Sequence, residues 1–131
     1  VNKVGDGDLC RVCRELGVYT AKMHGSGISH GDLTTSNVIV DPEGSVYLID
    51  FGLASFGKRD EDYAIDLHIF FRSIESAHIA RQGVMRGCFL EGYRAVAGGD
   101  RVAGMLKVVE DIRRRGRYVA ERRLRSEWRS I

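Results

Sequence analysis

The sequence predicts a mainly α-helical domain carrying one small β-hairpin. Apolar residues recur at steps of three and four over several stretches, the spacing of one face of a helix. Only two short runs are rich in β-branched and aromatic residues, and they flank the single proline of the chain. A lone hairpin is marginal in water, so the helices must supply the core.

The first helix is expected from Asp8, where Leu9, Cys13, Leu16, Thr20 and Met23 line one face. Asp6 or Asp8 caps its start, and Gly25 and Gly27 end it. Asn37-Val-Ile-Val40 and Val46-Tyr-Leu-Ile49 then pair across the turn Asp41-Pro-Glu-Gly44. Asp60, Glu61 and Asp62 put negative charge where a helix N-terminus favours it, ahead of an apolar-rich helix running through Ala80. A further helix spans Val84 to Ala97 and stops at Gly98-Gly99. Asp100 caps the last, whose inner stripe is Val102, Leu106, Val109 and Ile112.

At 131 residues, 44% hydrophobic and 29% charged, the chain suits one folded domain and is short for two. No apolar run approaches the roughly 18 residues of a membrane span, and the opening lacks the order of a signal peptide. Neither membrane insertion nor secretion is expected. Three cysteines cannot close a disulfide framework, so Cys10, Cys13 and Cys88 are expected as thiols in a reducing compartment: the cytoplasm, or also the nucleus in a eukaryote. Cys10-x-x-Cys13 lacks the second pair a zinc site needs. The chain opens on Val, so an upstream segment is expected. Charge is uneven: residues 1–112 hold 12 Lys and Arg against 16 Asp and Glu, a balance of −4, while residues 113–131 hold 8 Arg against 2 Glu, a balance of +6.

Three side chains carry chemistry together. Asp32 and Asn37 stand in His30-Gly-Asp-Leu-Thr-Thr-Ser-Asn37, and Asp50 opens Asp50-Phe-Gly52 just after the hairpin. Phosphoryl transfer needs a carboxylate to take or orient a hydroxyl proton and hard oxygens to hold Mg²⁺ on the phosphates. Asp32 suits the first task, and Asn37 with Asp50 the second. The hairpin brings the two strand ends together, so Asn37 and Asp50 can converge on one metal.

These strings, in this order, resemble the protein-kinase superfamily, whose catalytic loop reads H-x-D-x-x-x-x-N and whose metal-binding loop reads D-F-G. The block His30–Asn37 is similar to the small atypical serine/threonine kinase of the KEOPS (EKC) complex, the PRPK-type family. Asp60-Glu-Asp-Tyr-Ala-Ile-Asp66-Leu and Arg113-Arg-Arg-Gly-Arg117 fit it too. The resemblance covers most of residues 8–117. It implies a protein-kinase-like C-terminal lobe over residues 1–117, with the N-terminal lobe absent from this chain and an α+β fold in the complete protein. Residues 118–131 form a basic amphipathic extension that the resemblance does not explain.

The resemblance also implies ATP and Mg²⁺ as cofactors, Asp32 as catalytic residue, and Asn37 and Asp50 as metal ligands. His30 and Asp66 support the site by packing and by holding the loop backbone. The implied work is that of an ATP-dependent kinase or ATPase beside a threonylcarbamoyl transferase subunit and other KEOPS subunits, in making threonylcarbamoyladenosine in tRNA. Two alternatives stand beside it: a small-molecule phosphotransferase of the aminoglycoside or choline kinase type, and a noncatalytic RNA-binding scaffold.

The departures from ordinary protein kinases are specific. Gly31 replaces the usual arginine, and Thr34 and Thr35 replace Lys-Pro. No glycine-rich phosphate loop follows a strand, Gly5-Asp-Gly7 reads as plain loop, and no Ala-Pro-Glu follows Asp50-Phe-Gly52. Regulation through partner subunits is therefore expected, rather than through a phosphorylated loop. His24, His68 and His78 read as interior, edge or capping residues. The tail arginines Arg113, Arg114, Arg115, Arg117, Arg122, Arg123 and Arg125 either form a solvated face of a docked helix, contact tRNA phosphates, or dock a partner.

Overall fold

A computed structural model describes residues 5–57 and 59–130, with side chains as far as residue 116 and without that of Asp6. Four helices carry two small antiparallel sheets. Helix α1 spans Asp6–Gly25 and leads into β1, Ile28–Ser29. A 3-10 turn at Thr35–Asn37 precedes the hairpin strands β2, Val38–Val40, and β3, Val46–Leu48; β4 is Ser55–Phe56. Helices α2 (Asp60–Ala77), α3 (Gln82–Ala97) and α4 (Gly99–Ser130) follow. The expected mainly α fold with one hairpin is the fold observed. Among the described residues, no helix is long and apolar enough to cross a membrane.

The apolar face of α1 buries Leu9, Cys13, Leu16 and Thr20 as its spacing requires, with Val12 and Ala21 beside them. Its start differs from expectation. Gly5 is the N-cap, its carbonyl accepting the amides of Asp8 and Leu9, and no side chain caps the helix. Asp6 and Gly7, expected in a loop or at the cap, belong to the first turn. Helix α1 lies against α3 at a very close crossing: a Cβ on Gly17 would stand 2.0 Å from the Phe89 carbonyl oxygen, and one on Gly92 1.9 Å from that of Arg14.

That approach overturns the expectation of three thiols. The Cα atoms of Cys10 on α1 and Cys88 on α3 stand 5.3 Å apart, and the pair forms a disulfide. Sequence separation of 78 residues hid a proximity that only the helix crossing creates. Cys13 alone is free; it is buried, and burial pushes its thiol up to about 11.

Helix α2 fills the centre with Ala64, Leu67, Phe70, Phe71 and Ile74, meeting Phe89 of α3 at a ring separation of 4.6 Å from Phe70. It ends at Ala77, short of the expected Ala80, and Ile79–Arg81 turn as a 3-10 segment. The Asp62 carboxylate accepts the Arg59 amide, closing the helix start. On α4 the buried row is Val102, Met105 and Val109; Leu106 and Ile112, expected in that row, are partly buried at its edge.

The expected hairpin forms, each strand one residue shorter than its run, with Val38 opposite Leu48, Ile39 opposite Tyr47 and Val40 opposite Val46. Gly44 donates to the Asp41 carbonyl, and the Asp41 side chain accepts the Ser45 amide, so the turn closes on itself. The β1–β4 pair was not legible beforehand: two residues per strand, Ile28 opposite Phe56 and Ser29 opposite Ser55, carry no periodic signal.

Candidate active site

The segment between β1 and β2 is fixed from below by one carboxylate. Asp66, fully buried on α2, accepts the His30 amide at 2.8 Å on Oδ2 and the Gly31 amide at 2.9 Å on Oδ1. Its Oδ2 also lies 2.8 Å from Nε2 of His24, at the end of α1. Charge-assisted bonds to a buried carboxylate are among the stronger polar contacts available to a loop. Gly31 is required twice over. Its φ is +88°, and a Cβ would stand 2.3 Å from the Leu53 carbonyl oxygen. An arginine, usual at this position in ordinary protein kinases, cannot fit there.

His30 ties this loop to the segment after the hairpin. Its Nδ1 accepts the Asp32 amide at 3.1 Å, which leaves Nε2–H to donate to the Ile49 carbonyl at 2.9 Å. Its ring packs 4.7 Å from that of Phe51. Further along, Ser73 accepts the Thr35 amide at 3.2 Å, and the Thr35 hydroxyl pairs with His78 Nε2 at 3.1 Å. Burial lowers the pKa of His78 below 6.5, and the nearby Arg81 adds to that.

Asn37 faces Asp32 directly. Its Nδ2 donates to the Asp32 carbonyl at 2.8 Å and to the Asp32 carboxylate at 3.2 Å. The Asn37 carbonyl accepts the Ile49 amide at 2.9 Å, which sets Asp50 one residue beyond the bond. Asp50 has φ +61°, alone among the described non-glycine residues in the left-handed region. Such strain persists where surrounding structure enforces it, and it gathers at functional sites. The structure thus brings Asp32, Asn37, His30 and Asp66 into one bonded network, with Asp50 on the adjoining backbone.

The donor set fits a magnesium ion carried by phosphates. Asn37 spends its amide nitrogen on Asp32 and keeps Oδ1 as a hard acceptor, while Asp50 is exposed. Among the described residues, no group of three or more His, Cys, Asp or Glu could cage a metal alone. Magnesium commonly takes one or two protein oxygens and completes its shell with phosphate and water.

The tail arginines lie apart from this network. Arg113 makes a two-pronged ion pair with Glu75, at 2.7 and 3.3 Å, Arg114 pairs with Asp111, and Arg115 with Glu61. Arg117, Arg122, Arg123 and Arg125 lie outside the described side chains.

Sequence reasoning missed the polar group behind the loop, above all Tyr93, whose hydroxyl lies 2.8 Å from His24 Nδ1. The available signal was a tyrosine at the i+8 position of the buried row Met85, Phe89, Tyr93, because a buried phenol needs a partner.

The sequence pattern of the phosphotransferase enzyme family matches residues 8–98, a stretch containing Asp32, Asn37, Asp50 and Asp66. The chain is 44% identical over 110 residues to "KEOPS complex subunit Bud32" of Pyrococcus abyssi, covering 82% of this chain and 49% of that protein. It is 40% identical over 108 residues to a "probable serine/threonine-protein kinase BUD32 homolog" of Archaeoglobus fulgidus, covering 82% and 53%. A "probable bifunctional tRNA threonylcarbamoyladenosine biosynthesis protein" of Methanocaldococcus jannaschii is 39% identical over 112 residues, covering 86% of this chain and 20% of that protein. The chain thus spans about half the length of the first two relatives.

Proposed function

The chain belongs to the phosphotransferase enzyme family and has the architecture of a kinase-like C-terminal lobe, and on that premise we propose that it is the catalytic half of an ATP-dependent serine/threonine kinase or ATPase acting within a KEOPS complex. The observation that carries the proposal is the pair of bonds from Asn37 to Asp32, made while the Asn37 backbone holds Ile49 and so Asp50. A base and two metal-ligating oxygens then share one frame. The names of the relatives favour this reading over a small-molecule phosphotransferase or a noncatalytic scaffold.

Asp32 accepts the proton of the attacking hydroxyl or water; the Asn37 amide holds that carboxylate in place by its bond to Oδ2. Asn37 Oδ1 and Asp50 would hold Mg²⁺, which offsets charge on the transferred phosphoryl group. Thr34 stands where ordinary kinases carry lysine and offers a hydrogen bond in place of a full charge, which suits slow turnover. Ile39 and Tyr47 are cross-strand partners, exposed with Ile49 beside the site, and this apolar shelf suits the face of a purine ring.

The names of two relatives support a role in threonylcarbamoyladenosine synthesis within a KEOPS complex; a transferase subunit as partner, tRNA reached through the complex and the cytoplasm as location belong to the same proposal and go beyond those names. The arginines past residue 116 are the better tRNA candidates, because Arg113 already serves Glu75. The test is a magnesium titration of ATP binding in the complete protein. Asp50→Ala is expected to flatten the Mg²⁺ dependence of ATP affinity, and Asn37→Ala to weaken it less. Equal Mg²⁺ dependence in wild type and Asp50→Ala would count decisively against the metal assignment.

A further inference from the structure

Resting on the phosphotransferase reading, we propose that Tyr93 is a positioning residue for Asp32, acting through His24 and Asp66. Tyr93 belongs to α3, His24 to α1 and Asp66 to α2, so three helices contribute one group each to a line that ends on the catalytic loop. All are buried: Tyr93 is 1% exposed, His24 6%, and Asp66 0%. Sequence spacing does not link them, since His24 lies 69 residues from Tyr93 and 42 from Asp66.

The protons run in one direction. An ionised carboxylate only accepts, and Asp66 already accepts the His30 and Gly31 amides. His24 therefore donates Nε2–H to it. A neutral imidazole then has a bare Nδ1, and the Tyr93 hydroxyl must donate to that nitrogen. The reverse arrangement, an imidazolium donating Nδ1–H to the tyrosine oxygen, would leave the phenol proton without an acceptor among the described residues. Burial pushes the Tyr93 phenol up to about 12, so it keeps its proton through the neutral range.

A purely space-filling role would be met by phenylalanine, because the ring alone packs against Phe89 and His24. The hydroxyl adds orientation. Its described hydrogen bond is to His24; the other His24 bond is to Asp66; and Asp66 spends its remaining bonds on the loop. One further step, from His30 Nδ1 to the Asp32 amide, reaches the base. Loss of the donor frees the imidazole to turn, and with it the carboxylate from which His30 and Gly31 hang.

Tyr93→Phe in the complete protein is expected to lower kcat for ATP turnover about tenfold, the factor of one buried hydrogen bond, with KM for ATP within about twofold. Amide exchange at His30 and Gly31 should quicken about tenfold while that at Thr35, held independently by Ser73, stays unchanged. A folded variant with wild-type exchange at His30 and Gly31 and wild-type kcat would overturn the proposal. Nitrogen NMR of His24 in the unsubstituted protein gives a second test that needs no variant: Nδ1 is expected to accept the Tyr93 hydroxyl proton, and an Nδ1 that carries its own proton would refute it. Absence of ATP turnover in the unsubstituted complete protein would sink the phosphotransferase reading instead, with amide exchange and His24 protonation still deciding the role of Tyr93.

Discussion

The side-chain amide of Asn37 bridges both ends of Asp32, standing 2.8 Å from its carbonyl and 3.2 Å from its carboxylate. One residue thereby sets the backbone and the side chain of the proposed base, while its own carbonyl fixes the strand that delivers Asp50. The hairpin is therefore part of the site's geometry as well as of the fold.

Asn37→Asp keeps the shape of the side chain and reverses its effect on Asp32. Two donated bonds are replaced by a carboxylate facing a carboxylate, so Asp32 is pushed from its place. Turnover by the complete enzyme should fall about 10²-fold, the scale of a misplaced reacting group, with the far-ultraviolet dichroism of the fold retained. Wild-type turnover in this variant would show that the Asn37–Asp32 contact does not position the base.

Thiol counting tests the pairing of Cys10 with Cys88. An alkylating reagent should label no cysteine in the native protein, because Cys13 is buried and its thiol is pushed up to about 11. Unfolding without reductant should expose one thiol, and unfolding with reductant three. Reduction of the native protein should cost about 2–4 kcal/mol of stability in a urea titration. Three thiols without reductant would contradict the disulfide.

Acid should weaken the fold through His68 and His78. Burial lowers both below the ordinary 6.5. In the window between that value and the lower folded values the unfolded chain binds more protons, so stability is present above about 6.5 and is lost as pH falls through the folded pKa values. His78→Gln, which can still bond to Thr35, should reduce the slope of the urea midpoint against pH between about 7 and 5. An unchanged slope would remove His78 from this account.

Much of this architecture was legible beforehand because it rests on local rules. Proline and glycine mark the hairpin turn at Asp41–Gly44, and helical spacing marks the buried face of α1 through Leu9, Cys13, Leu16 and Thr20. In the site, Asp32, Asn37 and Asp50 stood out as a motif. What escaped depends on distance in space. Cys10 and Cys88 meet only because Gly17 and Gly92 let two helices touch, and β1 and β4 are too short to show a period. Tyr93 reads as one more apolar position until His24 is seen beside it. Arg113 read as part of a basic tail, whereas Glu75 on α2 holds it.

The crossing of α1 and α3 yields a fourth prediction. A methyl group on Gly92 would stand 1.9 Å from the Arg14 carbonyl oxygen, a backbone atom that cannot swing aside. Gly92→Ala should cost about 3 kcal/mol, near the upper end for an overpacked core, read as a drop in the urea midpoint. Gly104→Ala, where nothing lies within 4 Å of a new methyl, should leave the midpoint unchanged or raise it. Equal behaviour of the two variants would contradict the close crossing.

The central claim is that Asp32 is the base of a phosphoryl-transfer centre built with Asn37 and Asp50. Its most direct test is steady-state ATP turnover by the complete protein and its Asp32→Asn variant, with folding checked by circular dichroism. The account predicts a kcat lower by about 10²–10⁴-fold, with KM for ATP little changed because Asn37 and Asp50 are intact. Turnover by a folded Asp32→Asn protein at the wild-type rate would contradict it.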